Sequence, residues 1–300
     1  MKAKNKGETR KLTQNKRLIY AAVAILTIII LASIFLHIRP SQSKQPKAAI
    51  IDQLSSSELS PSSQYKNETF INEAERLLYE RFSEIDYYSD NATVDQYSRL
   101  PSLGYKLIIW RVHSALDDEK YIAICSSEKY EPGKYEQYSE DQLKLCNITG
   151  DENQYFAITP YFIKECMSGS FEDTVIIFMS CNGLKLGYYE TAETFVEKGV
   201  KAFISWDDWI GYSYNDGAIA HLLDYLINEN DTVSEAVHRI PESPSSPEYG
   251  SSKLQYYPDP EVADYRIPDY RQNNVSSNAG LIVMVVLRKN LDTYWTRVAC

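Results

Sequence analysis

Hydrophobic positions along the chain switch repeatedly between a continuous and a helical pattern. The short apolar run KAAIIDQL at 47–54 predicts a first strand. Over 69–82, Phe70, Ala74, Leu77, Leu78 and Phe82 recur near helical spacing and predict an amphipathic helix. EIDYY at 84–88 predicts a second strand, and 93–104 a short helix opened by Thr93 and stopped around Pro101. YKLIIWRVHSA at 105–115 is almost wholly apolar, as expected of a parallel strand covered on both faces. DTVIIFMSC at 173–181 predicts a fourth core strand and 200–206 a fifth. Helices are predicted at 189–199, closed by Gly199, and at 216–230. Strands alternating with helices in this way predict a doubly wound α/β sheet. The interval 116–172 reads as a polar, Tyr-rich insertion with one hairpin strand at 121–127, and 241–278 as loop. A last apolar run, LIVMVVL at 281–287, predicts a strand. No internal repeat is visible.

One apolar run is too long for a strand. Residues 18–38, LIYAAVAILTIIILASIFLHI, hold 21 positions without a formal charge. As a helix they would reach about 31 Å, enough to cross a bilayer's hydrocarbon core. That length exceeds the apolar region of a signal peptide, so an uncleaved anchor is expected. Lys2, Lys4, Lys6, Arg10, Lys11, Lys16 and Arg17 precede it against the single acid Glu8. The positive-inside rule then assigns 1–17 to the cytoplasm as a basic tail and everything after the anchor to the outside. Residues 39–46 are a polar, Pro-bounded linker, and 47–300 form the main domain, with its core over 47–230 and an extension over 231–300.

The net charge of −10 argues against nucleic acid as a partner, since phosphate binding needs clustered Lys and Arg. Five Asn-X-Ser/Thr sites, at Asn67, Asn91, Asn147, Asn230 and Asn274, all follow the anchor and agree with an exported body. Five cysteines allow up to two disulfides and leave one thiol over, with the pairing open. No His/Cys spacing points to zinc, and no glycine-rich phosphate loop is present, so neither metal nor cofactor is expected.

Ligands of an open parallel α/β sheet bind at the carboxyl ends of its strands. The third predicted strand ends at His113 and the fourth at Cys181. On neighbouring strands, imidazole and thiol would project into one crevice, with His113 as general base and Cys181 as nucleophile. Gly183 would let the chain turn sharply after the thiol, and the backbone N–H groups of Cys181 and Ser114 would hold an oxyanion. Asp117, Asp118 and Glu119 lie close enough in sequence to tune His113, while His37, His221 and His238 read as structural.

The stretches LIIWRVHSA, VIIFMSCNG and FVEKGVKAFISWDD resemble the core of the caspase–haemoglobinase fold of cysteine peptidases, the group of caspases, gingipains, clostripain, separase and CHAT domains. The resemblance covers about 47–230 and is most specific from the Cys181 strand through 191–208. It implies a three-layer α/β/α sandwich with a mostly parallel central sheet, carried here on a single N-terminal transmembrane helix. It also implies hydrolysis of a peptide or protein substrate by His113 and Cys181. Asp207 and Asp208 fall near an acid that the clostripain-like branch places in its specificity pocket, which implies cleavage after Arg or Lys. Met179-Ser180 before the cysteine, Asn182-Gly183 after it, His-Ser in place of His-Gly and a separation of 68 residues all depart from caspases and argue against aspartate specificity. Two other readings stand beside this one: a non-catalytic surface binding module on the same fold, and, more weakly, a flavodoxin-like flavin or nucleotide binder.

Overall fold

A computed structural model describes residues 46–59, 65–245, 247 and 250–271. The predicted anchor at 18–38, its basic tail, most of the linker, the run at 281–287 and residues His37, Asn274 and Cys300 lie outside the described residues. Among the described residues no helix is long and apolar enough to cross a membrane.

In chain order the body comprises β1 (Lys47–Asp52), α1 (Glu68–Leu78), β2 (Ile85–Tyr88), α2 (Val94–Arg99), β3 (Tyr105–Arg111), β4 (Ser114–Leu116), β5 (Ile122–Lys129), β6 (Leu143–Asn147), β7 (Gln154–Ile158), α3 (Pro160–Glu165), β8 (Thr174–Met179), α4 (Glu190–Glu197), β9 (Val200–Trp206), α5 (Tyr212–Ile227), α6 (Val233–His238) and β10 (Leu254–Tyr257). Six strands form the central sheet in the order β10-β9-β8-β3-β1-β2. Every neighbouring pair is parallel except β10 with β9. The molecule is thus α/β with a mostly parallel central sheet, as the alternation of elements predicts.

Successive residues of a strand face opposite sides of a sheet, and both sides here are apolar. Ile50, Leu107, Ile109 and Ile177 bury against α1, α5 and α6, through Phe70, Leu77, Leu222 and Val237 among others. Ile51, Ile108, Trp110, Ile176 and Phe178 bury on the other side against α2, α3 and α4, through Tyr97, Phe162 and Phe195. That two-sided burial accounts for the unbroken apolar runs of β3 and β8. Thr93 opens its helix as the sequence leads one to expect, accepting from the Gln96 N–H, and Asn67, read only as a glycosylation site, caps α1 by accepting from the Phe70 N–H.

Three elements depart from the expectation. The predicted strand at 105–115 is two strands, because β3 runs level with β8 only as far as the pair Arg111–Met179. Beyond it the chain leaves the central sheet, and Ser114–Leu116 pairs with β5 instead. The insertion supplies three strands and the helix α3 instead of one hairpin strand, and with β4 the three strands form an antiparallel sheet ordered β4-β5-β7-β6. β10 lies inside the predicted loop, where its four residues among Ser and Pro are too short a pattern to read.

A buried ion cluster ties the carboxyl end of the sheet together. Arg111, with 1% of its side chain exposed, closes β3. Its Nε and Nη2 donate to the two oxygens of Asp216 on α5, at 2.7 and 2.9 Å. Nη1 donates to Asp52 at the end of β1, at 2.8 Å, and Nη2 also donates to the Tyr65 carbonyl, at 2.5 Å. Asn67 Nδ2 adds a bond to Asp216, and the Tyr87 hydroxyl one to Asp52. Burial opposes the guanidinium charge, but the bonds to Asp216 and the field of Asp52 outweigh it and raise the Arg111 pKa. Removing one partner of such a buried pair strands a charge away from water. Asp216→Ala is expected to lower the unfolding free energy by about 3–5 kcal/mol, measured by urea denaturation. A change within the scatter of the measurement would show that the cluster is not a structural clamp.

Candidate functional site

The register of β3 and β8 positions the candidate residues. Arg111 lies opposite Met179, and the Val112 N–H reaches the Met179 carbonyl at 3.4 Å. Two residues further along each chain come His113 and Cys181, on the same rim of the sheet. Their neighbours touch: Ser114 Oγ donates to the Cys181 carbonyl at 2.7 Å, and Ser180 Oγ donates to Ser114 Oγ at 2.8 Å. Ser114 is therefore engaged here through its hydroxyl.

The backbone of His113 is fixed from two sides. Its N–H donates to Gln53 Oε1 at 3.0 Å, and its carbonyl accepts from the Cys125 N–H at 3.0 Å. Gln53 is buried and held in turn by its own bond to the Ser126 carbonyl. The imidazole meets the Tyr65 ring edge to face, at 5.2 Å and 84°, and Tyr65 meets Tyr212 likewise at 5.0 Å. His113 Nε2 is buried with no hydrogen-bond partner among the described residues. Burial, reinforced by the Arg111 charge two residues away, pushes the imidazole pKa down to about 4. The acids at 117–119 do not contribute to that shift. Asp117 pairs with Lys144 instead.

Cys181 is bonded to the loop after β9. Its Sγ accepts from the Ile210 N–H at 3.5 Å and lies 3.7 Å from the Ile210 carbonyl, which its S–H can reach as donor. Burial raises the thiol pKa; the Ile210 N–H opposes the rise and the Asp208 charge adds to it. Both groups thus rest neutral, with no hydrogen bond between them.

The turn after Cys181 differs from its sequence reading in an instructive way. The left-handed residue is Asn182, at φ 61°, and not Gly183. The Asn182 N–H bonds to the Asp208 carbonyl at 3.0 Å. Gly183 is required for space: a Cβ there would lie 2.0 Å from Ser205 Oγ and 2.8 Å from the Phe178 ring. The glycine lets the turn lie against β9, whose Ser205 hydroxyl donates to the Phe178 carbonyl.

His113, Ser114 and Cys181 line one cleft of about 510 Å³. Its other walls come from Tyr65, from Trp209 to Tyr212 after β9, and from Asn147 to Thr149 after β6. Asp207 and Asp208 are not among the lining residues. Asp207 accepts from the Lys253 N–H at 2.8 Å and so anchors β10 to β9. Asp208 pairs with Lys185 at 3.0 Å and accepts from the Trp209 N–H at 2.9 Å. Both carboxylates are thus engaged in bonds that fix the turn after β9.

Cys125, which also lines the cleft, is bonded to Cys146, while Cys166 and Cys181 are free thiols. Asn67 uses both ends of its amide inside the fold, so a glycan there would displace them. His238 caps its own helix through the Ser234 carbonyl, and His221 stacks on Tyr225. Among the described residues no three His, Cys, Asp or Glu side chains are grouped to hold a metal ion.

Sequence reasoning missed Tyr65, Gln53, Ile210 and the Arg111 cluster. Of these only Arg111 carries a signal, a lone charge inside LIIWRV that must find a buried partner. In comparisons with known proteins, no family model and no curated protein matches this chain.

The raised thiol pKa has a direct consequence. Alkylation of Cys181 by iodoacetamide, followed by peptide mapping, is expected to accelerate about tenfold per pH unit from 7 to 9 without a plateau. A rate already flat between pH 6 and 8 would indicate a preformed thiolate–imidazolium pair and contradict this electrostatic picture.

Proposed function

We propose that the protein is a membrane-tethered cysteine hydrolase of peptide bonds, related in design to the caspase–haemoglobinase fold, with its main domain outside the cell. The observation that carries this reading is the meeting of two strand ends. An unpartnered buried imidazole nitrogen and a free thiol lie on one rim of the sheet and line one cleft.

In this reading a bound peptide carbonyl draws the Cys181 S–H away from Ile210. The thiol proton passes to His113 Nε2, the sulfur bonds to the carbonyl carbon, and the carbonyl π electrons move onto oxygen. Backbone N–H groups near Cys181 and Ser114 hold that oxyanion. As the C=O bond re-forms, the C–N bond breaks and imidazolium gives its proton to the leaving amine. A water molecule, deprotonated by His113, then releases the acyl group and restores the thiol. An imidazole held neutral down to about pH 4 keeps its ring nitrogen free at physiological pH, and so low a pKa makes it a weak base until a bound substrate changes its surroundings. The seven basic residues before an uncharged run of 21 support the tether, and a disulfide at Cys125–Cys146 suits an oxidising exterior.

A second reading, a binding module without turnover, is favoured by one specific observation: the thiol bonds to Ile210 and not to His113. Hydrolysis of fluorescently labelled casein by the full-length protein in detergent separates the two. The hydrolase reading predicts a loss of at least about a hundredfold in both Cys181→Ala and His113→Ala, with unchanged circular dichroism. Absence of cleavage by the wild type, or cleavage that survives Cys181→Ala, would leave the binding module.

A further inference from the structure

The side chains around the candidate thiol also bear on what it would act upon. Among the described residues, every side chain lining the cleft is uncharged at neutral pH. Tyr65, Ile148, Ile210 and Tyr212 form much of its surface, and Trp209 and Tyr212 remain 42% and 41% exposed at its mouth. Aromatic rings in that position offer broad apolar contact with little conformational freedom to lose.

Among the described residues, four nearby acids are committed elsewhere. Asp52 and Asp216 are bound to Arg111 beneath the cleft. Asp207 holds the backbone of β10, and Asp208 holds Lys185. A guanidinium or ammonium entering this space would give up its water without gaining a carboxylate. A carboxylate would find Arg111 buried and already paired with two carboxylates, and Lys185 already paired. Burying either charge unpaired is strongly unfavourable, whereas an apolar group gains by leaving water.

We infer that the cleft selects a bulky uncharged side chain, aromatic or branched aliphatic, next to the scissile bond, with Tyr65, Ile210 and Tyr212 as its specificity-determining surface. The inference rests on the hydrolase reading and replaces a basic preference with an apolar one. A volume of about 510 Å³ accommodates such a side chain together with the flanking backbone.

Peptidyl acyloxymethyl ketones that differ only in the residue beside the warhead (Phe, Leu, Arg or Asp) test it on the full-length protein in detergent. The readout is the rate of adduct formation at Cys181, located by peptide mapping, with His113→Ala as the control. The Phe or Leu probe is expected to label at least about tenfold faster than the Arg and Asp probes. Tyr212→Asp, which puts a carboxylate at the mouth, is expected to narrow or reverse the gap between the Phe and Arg probes. Arg or Asp labelling that equals or exceeds Phe labelling, and depends on His113, would overturn the apolar preference while the hydrolase reading stands. Failure of all four probes to label Cys181, when iodoacetamide still does, would overturn both.

Discussion

The buried guanidinium of Arg111 is the constraint on which the rim of the sheet depends. It closes β3 at the point where the chain leaves the central sheet, and it bonds to the end of β1, to α5 and to the Tyr65 carbonyl. An ion held away from water is tolerated only when its bonds are made in good geometry. The cluster therefore specifies one arrangement of four chain segments that are far apart in sequence. The same arrangement carries the candidate site: Tyr65 is brought over the imidazole, α5 presents Tyr212, and His113 emerges two residues beyond the clamp.

The clamp also adds to the electrostatics of its neighbour. Burial first, and then the positive charge of Arg111, disfavour protonation of the imidazole, so His113 is held neutral. The thiol is likewise held protonated by burial, and it rests on the Ile210 backbone. Such a pair is not armed in advance. In the proposed mechanism, nucleophile and base become partners only when a substrate displaces the loop contact, so proton transfer and attack would be coupled. This arrangement limits stray reaction of the sulfur with other electrophiles, because reactivity follows the thiolate fraction.

Much of the frame is legible in the amino-acid pattern. The runs of β1, β3, β8 and β9 keep their polar residues at or near the strand ends and are apolar between them, which identifies them as central parallel strands. The placement of His113 and Cys181 at strand ends follows from the same runs, whereas the pairing of β3 with β8, across the whole insertion, does not. The details that decide the chemistry are less local. Tyr65 comes from a loop whose position is set by Arg111, and Ile210 by the turn that Asp207 and Asp208 hold. Those two acids look like binding groups in a sequence because their partners are distant: the Lys253 N–H just before β10 holds Asp207, and Lys185 holds Asp208. Gly183 reads as a turn residue, yet its role is to make room for Ser205, a contact no local pattern reveals.

The titration of the His113 ring, followed by imidazole NMR with His113→Gln used for assignment, tests this physical picture most directly. The ring is expected to stay neutral until the pH falls to about 4, because burial and Arg111 both resist its protonation. A midpoint at or above the ordinary histidine value, about 6.5, would mean that the imidazole is solvated or already paired with a thiolate, and would contradict the account.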